Sequence, residues 1–91
     1  MNWAGKVVYL TGASSGIGEA LALEMASRGA VLALIARRKE KLDDLADRCR
    51  AKGGTARVFP ADVTDEAALS EAANEMLAEF RKIDILIANA G

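Results

Sequence analysis

The sequence predicts an α/β fold in which four short strands form one parallel sheet and three helices cover it. The first observation behind this prediction is that short apolar runs alternate with longer stretches whose apolar residues recur at helical spacing. The second is that the first run, residues 7–10, is continuous, as expected for a strand buried on both faces of a parallel sheet. With the usual strand order, 3-2-1-4, right-handed crossovers place the first two helices on one face and the third on the other. The expected architecture therefore has three layers.

The first strand and the first helix flank a glycine-rich turn. Residues 7–10 are all hydrophobic and end at Thr11 and Gly12, which predicts the first strand. The helix is predicted to begin at Ile17 and to stop at Gly29. Four residues at helical spacing give it an apolar face: Ile17, Ala20, Leu21 and Met25. A second hydrophobic run, at residues 31–35, predicts the second strand.

The second helix is predicted from four hydrophobic residues at positions i, i+3, i+4 and i+7: Leu42, Leu45, Ala46 and Cys49. Gly53 and Gly54 close this helix, because glycine is favoured just beyond a helix C-terminus. Residues 55–59 then predict a short third strand, which Pro60 ends.

The third helix is predicted to begin with Thr64 as its N-cap. Asp65 and Glu66 would then lie in the first turn, where acidic groups interact favourably with the helix dipole. Six residues form the expected buried stripe: Leu69, Ala72, Ala73, Met76, Leu77 and Phe80. The fourth strand is predicted from Ile83 to residue 87. Four residues follow it, and the given sequence ends at Gly91.

Composition limits the classes of function. The chain has 91 residues, 12 Lys and Arg against 13 Asp and Glu, no His and one cysteine, Cys49. These numbers indicate one domain at most, no disulfide within the chain and no zinc site. No apolar run reaches the roughly 18–20 residues that span a bilayer, and the near-neutral charge argues against nucleic acid as a partner. The single cysteine fits a reducing cytoplasm, which is the location we predict.

The glycine-rich turn at residues 11–18 carries the strongest functional signal, because it lies between a predicted strand and a predicted helix. Gly12 permits a sharp exit from the strand, Gly16 removes a side chain where the backbone meets a pyrophosphate, and Gly18 lets helix and strand approach closely. The free N–H groups at the helix start form an anion site. In a parallel sheet, this turn and the ends of the other strands share the edge at which ligands bind. A P-loop is disfavoured, because no Gly-Lys-Ser or Gly-Lys-Thr occurs.

Three motifs, taken in order, resemble those of the short-chain dehydrogenase/reductase family. They are Thr-Gly-Ala-Ser-Ser-Gly-Ile-Gly at residues 11–18, Asp62-Val63 after the third strand, and Asn89-Ala90-Gly91 after the fourth. The resemblance runs along the whole chain. It implies a Rossmann-like fold, of which residues 1–91 would be the amino-terminal, NADP(H)-binding half of an incomplete domain. It also implies a carbonyl or alcohol oxidoreductase as the activity of the parent protein.

The resemblance further implies roles for individual residues. Those that would face the phosphates of a nicotinamide dinucleotide are Ser14, Ser15 and Ile17. Asp62 would hold the adenine amino group with Val63 beside it, and capping of the third helix is the alternative role for Asp62. Residues 89–91 would border the ribose on the nicotinamide side.

The end of the second strand decides the choice of cofactor. An Asp or Glu here would bind the ribose 2′-hydroxyl of NAD, but Ala36 occupies the position and Arg37 and Arg38 follow. A guanidinium pairs well with a dianionic 2′-phosphate, which an acid would repel. We therefore predict NADP(H) in preference to NAD(H), with Arg37, and Arg38 beside it, as the contacts. The alternative is that these basic residues belong to a solvated helix start.

The residues that the resemblance implies for hydride transfer are not found in the chain. They are a Tyr followed four residues later by a Lys, together with a Ser and an Asn that orient the substrate. Tyr9 is followed at that spacing by Ala13 and lies in a predicted buried strand. We therefore predict no catalytic residue and no metal ligand, and cofactor binding without turnover.

Three interpretations of the chain are open. It is the amino-terminal part of an NADP-dependent oxidoreductase, a separate nucleotide-binding module, or a half-Rossmann structural or folding unit that self-associates. The chain stops after the fourth strand, which would normally pair with a fifth, so we expect the outer edge of this strand to be open. We therefore predict a homo-oligomer that buries this edge or the sheet face that carries only the third helix.

Overall fold

The computed structural model describes residues 2–89, so Ala90 and Gly91 of the third motif lie outside the described residues. Strands and helices alternate along the chain. The strands are β1 (Val7–Thr11), β2 (Val31–Ala36), β3 (Thr55–Pro60) and β4 (Ile85–Ala88). The helices are α1 (Gly16–Ser27), α2 (Lys39–Ala51) and α3 (Glu66–Phe80). All four strands are parallel and their order is β3-β2-β1-β4, which confirms the predicted α/β fold with strand order 3-2-1-4.

The sheet has an apolar core on each face. Successive residues of a strand point to opposite faces, so β1 and β2 contribute side chains to both cores. The first core combines alternate strand residues with buried side chains of α1 and α2; its strand members include Val8, Leu10, Leu32 and Leu34. The second core lies under α3, where Tyr9 and Ile35 pack against Ala72 and Met76. The predicted placement of two helices on one face and one on the other is therefore confirmed.

Helix α2 packs as its sequence predicts. The four residues whose helical spacing predicted one buried face are all buried: Leu42, Leu45, Ala46 and Cys49. Burial raises the pKa of the Cys49 thiol to about 11. The thiol therefore stays protonated at neutral pH and acts as a small apolar group of the core.

Helix α1 packs through a different face from the predicted one. Ile17 and Leu21 expose 72% and 38% of their surface, whereas Ala22, Met25 and Ala26 are buried. The face against the sheet is built mainly from small residues, which let the helix backbone approach the strands closely. The prediction was wrong at Ile17, Ala20 and Leu21, because helical spacing alone does not show which face lets the helix approach the sheet most closely.

The start of α3 also differs from the prediction. Asp65 is the N-cap, and its Oδ1 accepts a hydrogen bond from the Ala68 N–H at 3.1 Å. The predicted cap at Thr64 is therefore wrong, because Thr64 binds Asp62 instead. Of the expected buried stripe, Leu77 is 44% exposed, since it lies toward the side of the helix that faces away from the sheet.

Strand β4 begins at Ile85, two residues beyond the predicted start at Ile83. Asp84 precedes it and binds the start of β1 twice: its N–H donates to the Val7 carbonyl and its Oδ2 accepts the Val7 N–H, each at 2.8 Å. The bond from Val7, aided by Lys82 at 3.2 Å, holds the pKa of Asp84 below its usual value. Asp84 therefore joins the sequence-distant ends of two neighbouring strands.

The two edges of the sheet, β3 and β4, have different chemistry. β3 carries Arg57, which pairs with Glu79 of α3 and lies 5.4 Å from the centre of the Phe80 ring, and it ends at Pro60. β4 has no charged residue, and Leu86 exposes 67% of its surface. Beside Leu86 a mainly apolar recess of about 440 Å³ opens on the α3 face. Charged side chains on an edge strand, such as Arg57 on β3, discourage pairing with a further strand, and β4 lacks this protection.

Candidate cofactor-binding site

A cleft of about 520 Å³ opens at the edge of the sheet where the four strands end. It is lined by residues from the segments that follow the strands: Gly12, Ser14, Ala36, Arg37, Arg38, Ala61, Asp62, Val63, Thr64 and Asn89. Parallel strands bring these segments together because all their carboxyl ends share one edge. The cleft therefore unites parts of all three sequence motifs with the two arginines.

Of the predicted site residues that the structure describes, four do not line the cleft itself. Ser15, Gly16, Ile17 and Gly18 lie in the turn beside it and in the first turn of α1. Ile17 is exposed there, and Val63 within the cleft is 53% exposed. Both side chains therefore offer apolar surface that the described residues leave uncovered.

The glycine-rich turn leaves the N-terminus of α1 without a side-chain cap. Ser15 is the N-cap residue, but its hydroxyl donates to the Gly12 carbonyl at 2.9 Å and makes no capping bond to the helix. The first helical hydrogen bond runs from the Glu19 N–H to the Ser15 carbonyl at 2.7 Å. The uncapped N–H groups of the first turn and the positive end of the helix dipole form a site suited to an anion.

Asn89, which follows β4, holds the glycine-rich turn in place. Its Nδ2 donates to Ser15 Oγ at 2.7 Å and to the Gly12 carbonyl at 3.1 Å. Ser15 thus accepts from Asn89 and gives its own proton to Gly12, so its hydroxyl has no proton left for a phosphate. Ser14 lines the cleft, so it is the serine that is in a position to contact a ligand. The resemblance gave both serines the same role, and the structure separates their environments.

Two glycines of the turn are required by close contacts. Gly12 has φ +65°, and a Cβ placed there would lie 2.1 Å from the Asn89 carbonyl oxygen. A Cβ on Gly18 would lie 2.3 Å from the Gly12 carbonyl oxygen and 2.8 Å from Asn89 Nδ2. A Cβ on Gly16 would meet nothing within 4 Å, so the space beside this residue is open to a ligand. The contacts at Gly12 and Gly18 explain why the turn needs glycine at these two positions, and the role of Gly16 toward a pyrophosphate stays a prediction.

Arg37 and Arg38 extend from the end of β2 into the lining of the cleft, and the nearly buried Ala36 precedes them. Arg37 Nη1 lies 3.7 Å from Asp62 Oδ2, which is longer than a direct charge-assisted hydrogen bond. The side chains of Arg37 and Asp62 are 79% and 44% exposed. They form a loose ion pair across the cleft that leaves both groups accessible to a ligand.

Asp62 is oriented by Thr64, two residues later. The Thr64 N–H and hydroxyl both donate to Asp62 Oδ1, at 2.9 and 2.8 Å. These bonds, and to a lesser degree the charge of Arg37, hold the pKa of Asp62 below its usual value. Asp62 therefore does not cap α3, a role that Asp65 fills. Sequence reasoning missed the role of Thr64, although an Asp followed two residues later by Thr is a typical signal for a local turn of this kind.

The one tyrosine of the chain does not reach the cleft. Tyr9 is buried under α3, its hydroxyl donates to the Leu69 carbonyl at 2.8 Å, and burial raises its pKa. Residues 2–89 contain no cluster of His, Cys, Asp and Glu arranged to hold a metal ion. Within the same residues, no helix combines the length and the apolar character needed to cross a membrane.

Comparison with known proteins agrees with the motifs and the fold. The family model for short chain dehydrogenases matches residues 6–91. The chain belongs to the short-chain dehydrogenase family. A curated relative of this short-chain dehydrogenase is an uncharacterized oxidoreductase of Mycobacterium tuberculosis, which is 46% identical over 90 residues. That match covers 96% of this chain and 26% of the relative.

Solved short-chain dehydrogenase structures share the fold. A metagenomic short-chain oxidoreductase in complex with NADP is 37% identical, with a TM-score of 0.91, over 100% of this chain and 41% of its own. An NAD⁺-bound xylitol dehydrogenase is 38% identical, with a TM-score of 0.92, over 100% of this chain and 35% of its own. The chain spans between 26% and 33% of the length of the curated relatives it matches.

Proposed function

We propose that this chain binds a nicotinamide dinucleotide in the cleft at the carboxyl edge of the sheet, with NADP(H) preferred over NAD(H). The observation that carries the proposal is that the uncapped N-terminus of α1 adjoins the cleft into which Arg37 and Arg38 extend. A helix N-terminus suits a pyrophosphate, and a guanidinium pair suits a second, dianionic phosphate. NADP(H) is the nicotinamide cofactor that carries both groups.

Within this proposal the cleft residues have distinct tasks. The pyrophosphate lies against Ser14 and the first N–H groups of α1, where Gly16 leaves room for it. Asp62 accepts a hydrogen bond from the adenine amino group, and Val63 covers the ring. Residues 89–91 border the ribose on the nicotinamide side. Ser15 acts indirectly, by holding the turn in shape.

The preference for NADP(H) rests on residues of this chain rather than on its relatives. Similar structures were solved with NADP in one case and with NAD⁺ in another, so likeness alone supports neither cofactor. Here Ala36 supplies no carboxylate to bind a 2′-hydroxyl, and Arg37 follows it directly. An acid at Ala36 would repel a 2′-phosphate, and its absence favours the phosphorylated cofactor.

The parent activity that we propose is a carbonyl or alcohol oxidoreductase, located in a reducing cytoplasm. When bound, the nicotinamide ring supplies or accepts a hydride at the substrate carbon. The residues of this chain bind and orient the cofactor, and Tyr9 cannot serve as the acid or base because its hydroxyl is buried against Leu69. We therefore expect residues 1–91 by themselves to bind the cofactor without turnover.

Titration of NADP⁺ and NAD⁺ into the 91-residue chain and two variants tests the preference. Arg37→Ala is expected to weaken NADP⁺ binding about tenfold or more and NAD⁺ binding by less than about twofold, because a charge-assisted hydrogen bond contributes about 1.5–3 kcal/mol. Arg28→Ala removes the same charge from an exposed residue after α1 and is the control. Equal affinities for the two nucleotides in the wild type and in Arg37→Ala would contradict the preference.

A further inference from the structure

The loose ion pair between Arg37 and Asp62 joins two groups with different proposed ligands. Arg37 follows β2 and Asp62 follows β3, and these strands pair in parallel up to Ala36 and Pro60. The two side chains therefore lie at the same end of the cleft. At a separation of 3.7 Å, a change in the charge of one is felt by the other and by any anion bound between them.

Thr64 decides which carboxylate oxygen of Asp62 meets Arg37. Its two hydrogen bonds both go to Oδ1 and leave Oδ2 directed at the Arg37 guanidinium. The carboxylate is therefore held as an anion in one orientation, although it is partly exposed. An anion fixed beside an arginine competes with any second anion that the arginine could bind.

We propose that Asp62, oriented by Thr64, is a specificity-determining residue that competes with the 2′-phosphate of the cofactor for Arg37. In the absence of a nucleotide, Asp62 is the partner of Arg37. A 2′-phosphate must take the guanidinium away from this partner, whereas a 2′-hydroxyl need not. Asp62 therefore lowers the preference for NADP(H) that Arg37 creates, and the chain retains measurable binding of NAD(H).

This inference rests on the proposed function, so its test measures the ratio of NAD⁺ to NADP⁺ dissociation constants rather than either affinity alone. Asp62→Asn keeps the carbonyl oxygen that accepts from Thr64, replaces Oδ2 by an amide NH2 and so removes the negative charge that faces Arg37. Any loss of adenine binding affects both nucleotides equally and leaves the ratio unchanged. We expect the ratio to rise about fivefold in favour of NADP⁺, the size expected for a close charge interaction near the surface.

Asp65→Asn is the matched control, because it removes one negative charge three residues away and Asn caps a helix as well as Asp does. We expect it to leave the ratio within about twofold of the wild type, because Asp65 caps α3 and does not face Arg37. Asp62→Asn is also made in a protein that already carries Arg37→Ala. This double variant separates competition for the guanidinium from direct repulsion of the phosphate. In that background Asp62→Asn is expected to leave the ratio unchanged.

Three outcomes overturn the inference. The first is an unchanged ratio in Asp62→Asn while the wild type binds both nucleotides, which leaves the proposed function intact. The second is an equal rise in Asp62→Asn and Asp65→Asn, which assigns the effect to general charge, or an equal rise with and without Arg37, which assigns it to direct repulsion of the phosphate. The third is that the wild type binds neither nucleotide, and this outcome rejects the proposed function as well.

Discussion

Asn89 is the side chain that connects the last strand to the glycine-rich turn. Its amide donates to both Ser15 and Gly12, and its main chain packs against the position where Gly12 lacks a Cβ. The turn thus takes its shape from a residue 77 positions away in the sequence. The residue that follows β4 therefore helps to hold the turn beside the anion site at α1.

The Asn89 amide gives a first prediction. Asn89→Ala removes two hydrogen bonds and is expected to lower the free energy of unfolding by about 1–3 kcal/mol and to weaken nucleotide binding, because the Gly12 carbonyl and Ser15 Oγ each lose one donor. Asn89→Asp keeps the size but directs a carboxylate at the Gly12 carbonyl, so its effect is expected to be larger. Urea unfolding and calorimetric titration measure both effects, with the exposed Asn74→Ala as control. Wild-type behaviour of Asn89→Asp would contradict the role of the amide.

Asp84 gives a prediction about pH. The Val7 N–H bond lowers its pKa in the folded state, so its contribution to stability is complete above the unfolded-state pKa of about 3.9. That contribution is lost as the pH falls through the lower folded-state pKa. The difference in unfolding free energy between wild type and Asp84→Ala is therefore expected to be constant from about pH 5 to pH 7 and to shrink below about pH 4. A difference that is the same at pH 3 and pH 7 would argue against it.

Individual side-chain partners were the least predictable part of the site. The motif at residues 11–18 indicated an anion site, but nothing in the sequence distinguished the roles of Ser14 and Ser15. Their difference depends on Asn89, whose approach is set by the pairing of β4 with β1. Partners fixed by tertiary contacts leave no local pattern, whereas the Asp62 and Thr64 pair did leave one.

At the scale of elements, α1 shows why the glycines of its first turn are not equivalent. Gly18 faces the turn at contact distance, whereas Gly16 faces open space. Gly18→Ala is expected to lower the free energy of unfolding by about 1–3 kcal/mol, because the new methyl group meets backbone atoms that cannot move freely. Gly16→Ala is expected to stay within about 1 kcal/mol of the wild type or to exceed it, since Ala favours a helix.

Gly16→Ala is expected to change nucleotide affinity although it hardly changes stability. The Gly16→Ala methyl group enters the space proposed for the pyrophosphate, so we expect weaker binding in a variant that is folded and stable. Thermal unfolding and nucleotide titration of the same sample separate the two effects. A stable Gly16→Ala variant with wild-type affinity would place the pyrophosphate elsewhere.

The patterns of helices and strands predicted the existence and order of every element, but not always the buried face. α2 was predicted correctly because its large apolar residues are also its buried ones. α1 was not, because Gly18, Ala22 and Ala26 lie against the sheet while Ile17 and Leu21 face outward. Close packing selects for small size as well as for apolar character, and a pattern of hydrophobicity records only the second.

At the scale of the whole molecule, the uncharged edge β4 predicts self-association of the 91-residue chain. Leu86 is exposed beside the apolar recess, and the outer backbone groups of β4 have no strand partner in the sheet described by residues 2–89. In a purified sample, the available occupant of this surface is a second copy of the chain. We expect the average mass in sedimentation velocity to rise with protein concentration.

Leu86→Lys tests whether β4 is the surface involved. A charge on an edge strand opposes further pairing, so this variant is expected to sediment as a monomer at concentrations where the wild type associates. Leu77→Lys, on an exposed position of α3, introduces the same charge away from the strand and is the control. A wild type that is monomeric at every concentration, or association unaffected by Leu86→Lys, would contradict the prediction.

The central position of β1 has a consequence for the synthesis of the chain. β1 leaves the ribosome before both of its partners, β2 on one side and β4 on the other. One side of it therefore waits for its partner until nearly all 91 residues have been made. At about 5–20 residues per second, the wait lasts about 4–15 seconds. During that time the newborn chain exposes one side of the backbone of a strand that is buried in the folded sheet.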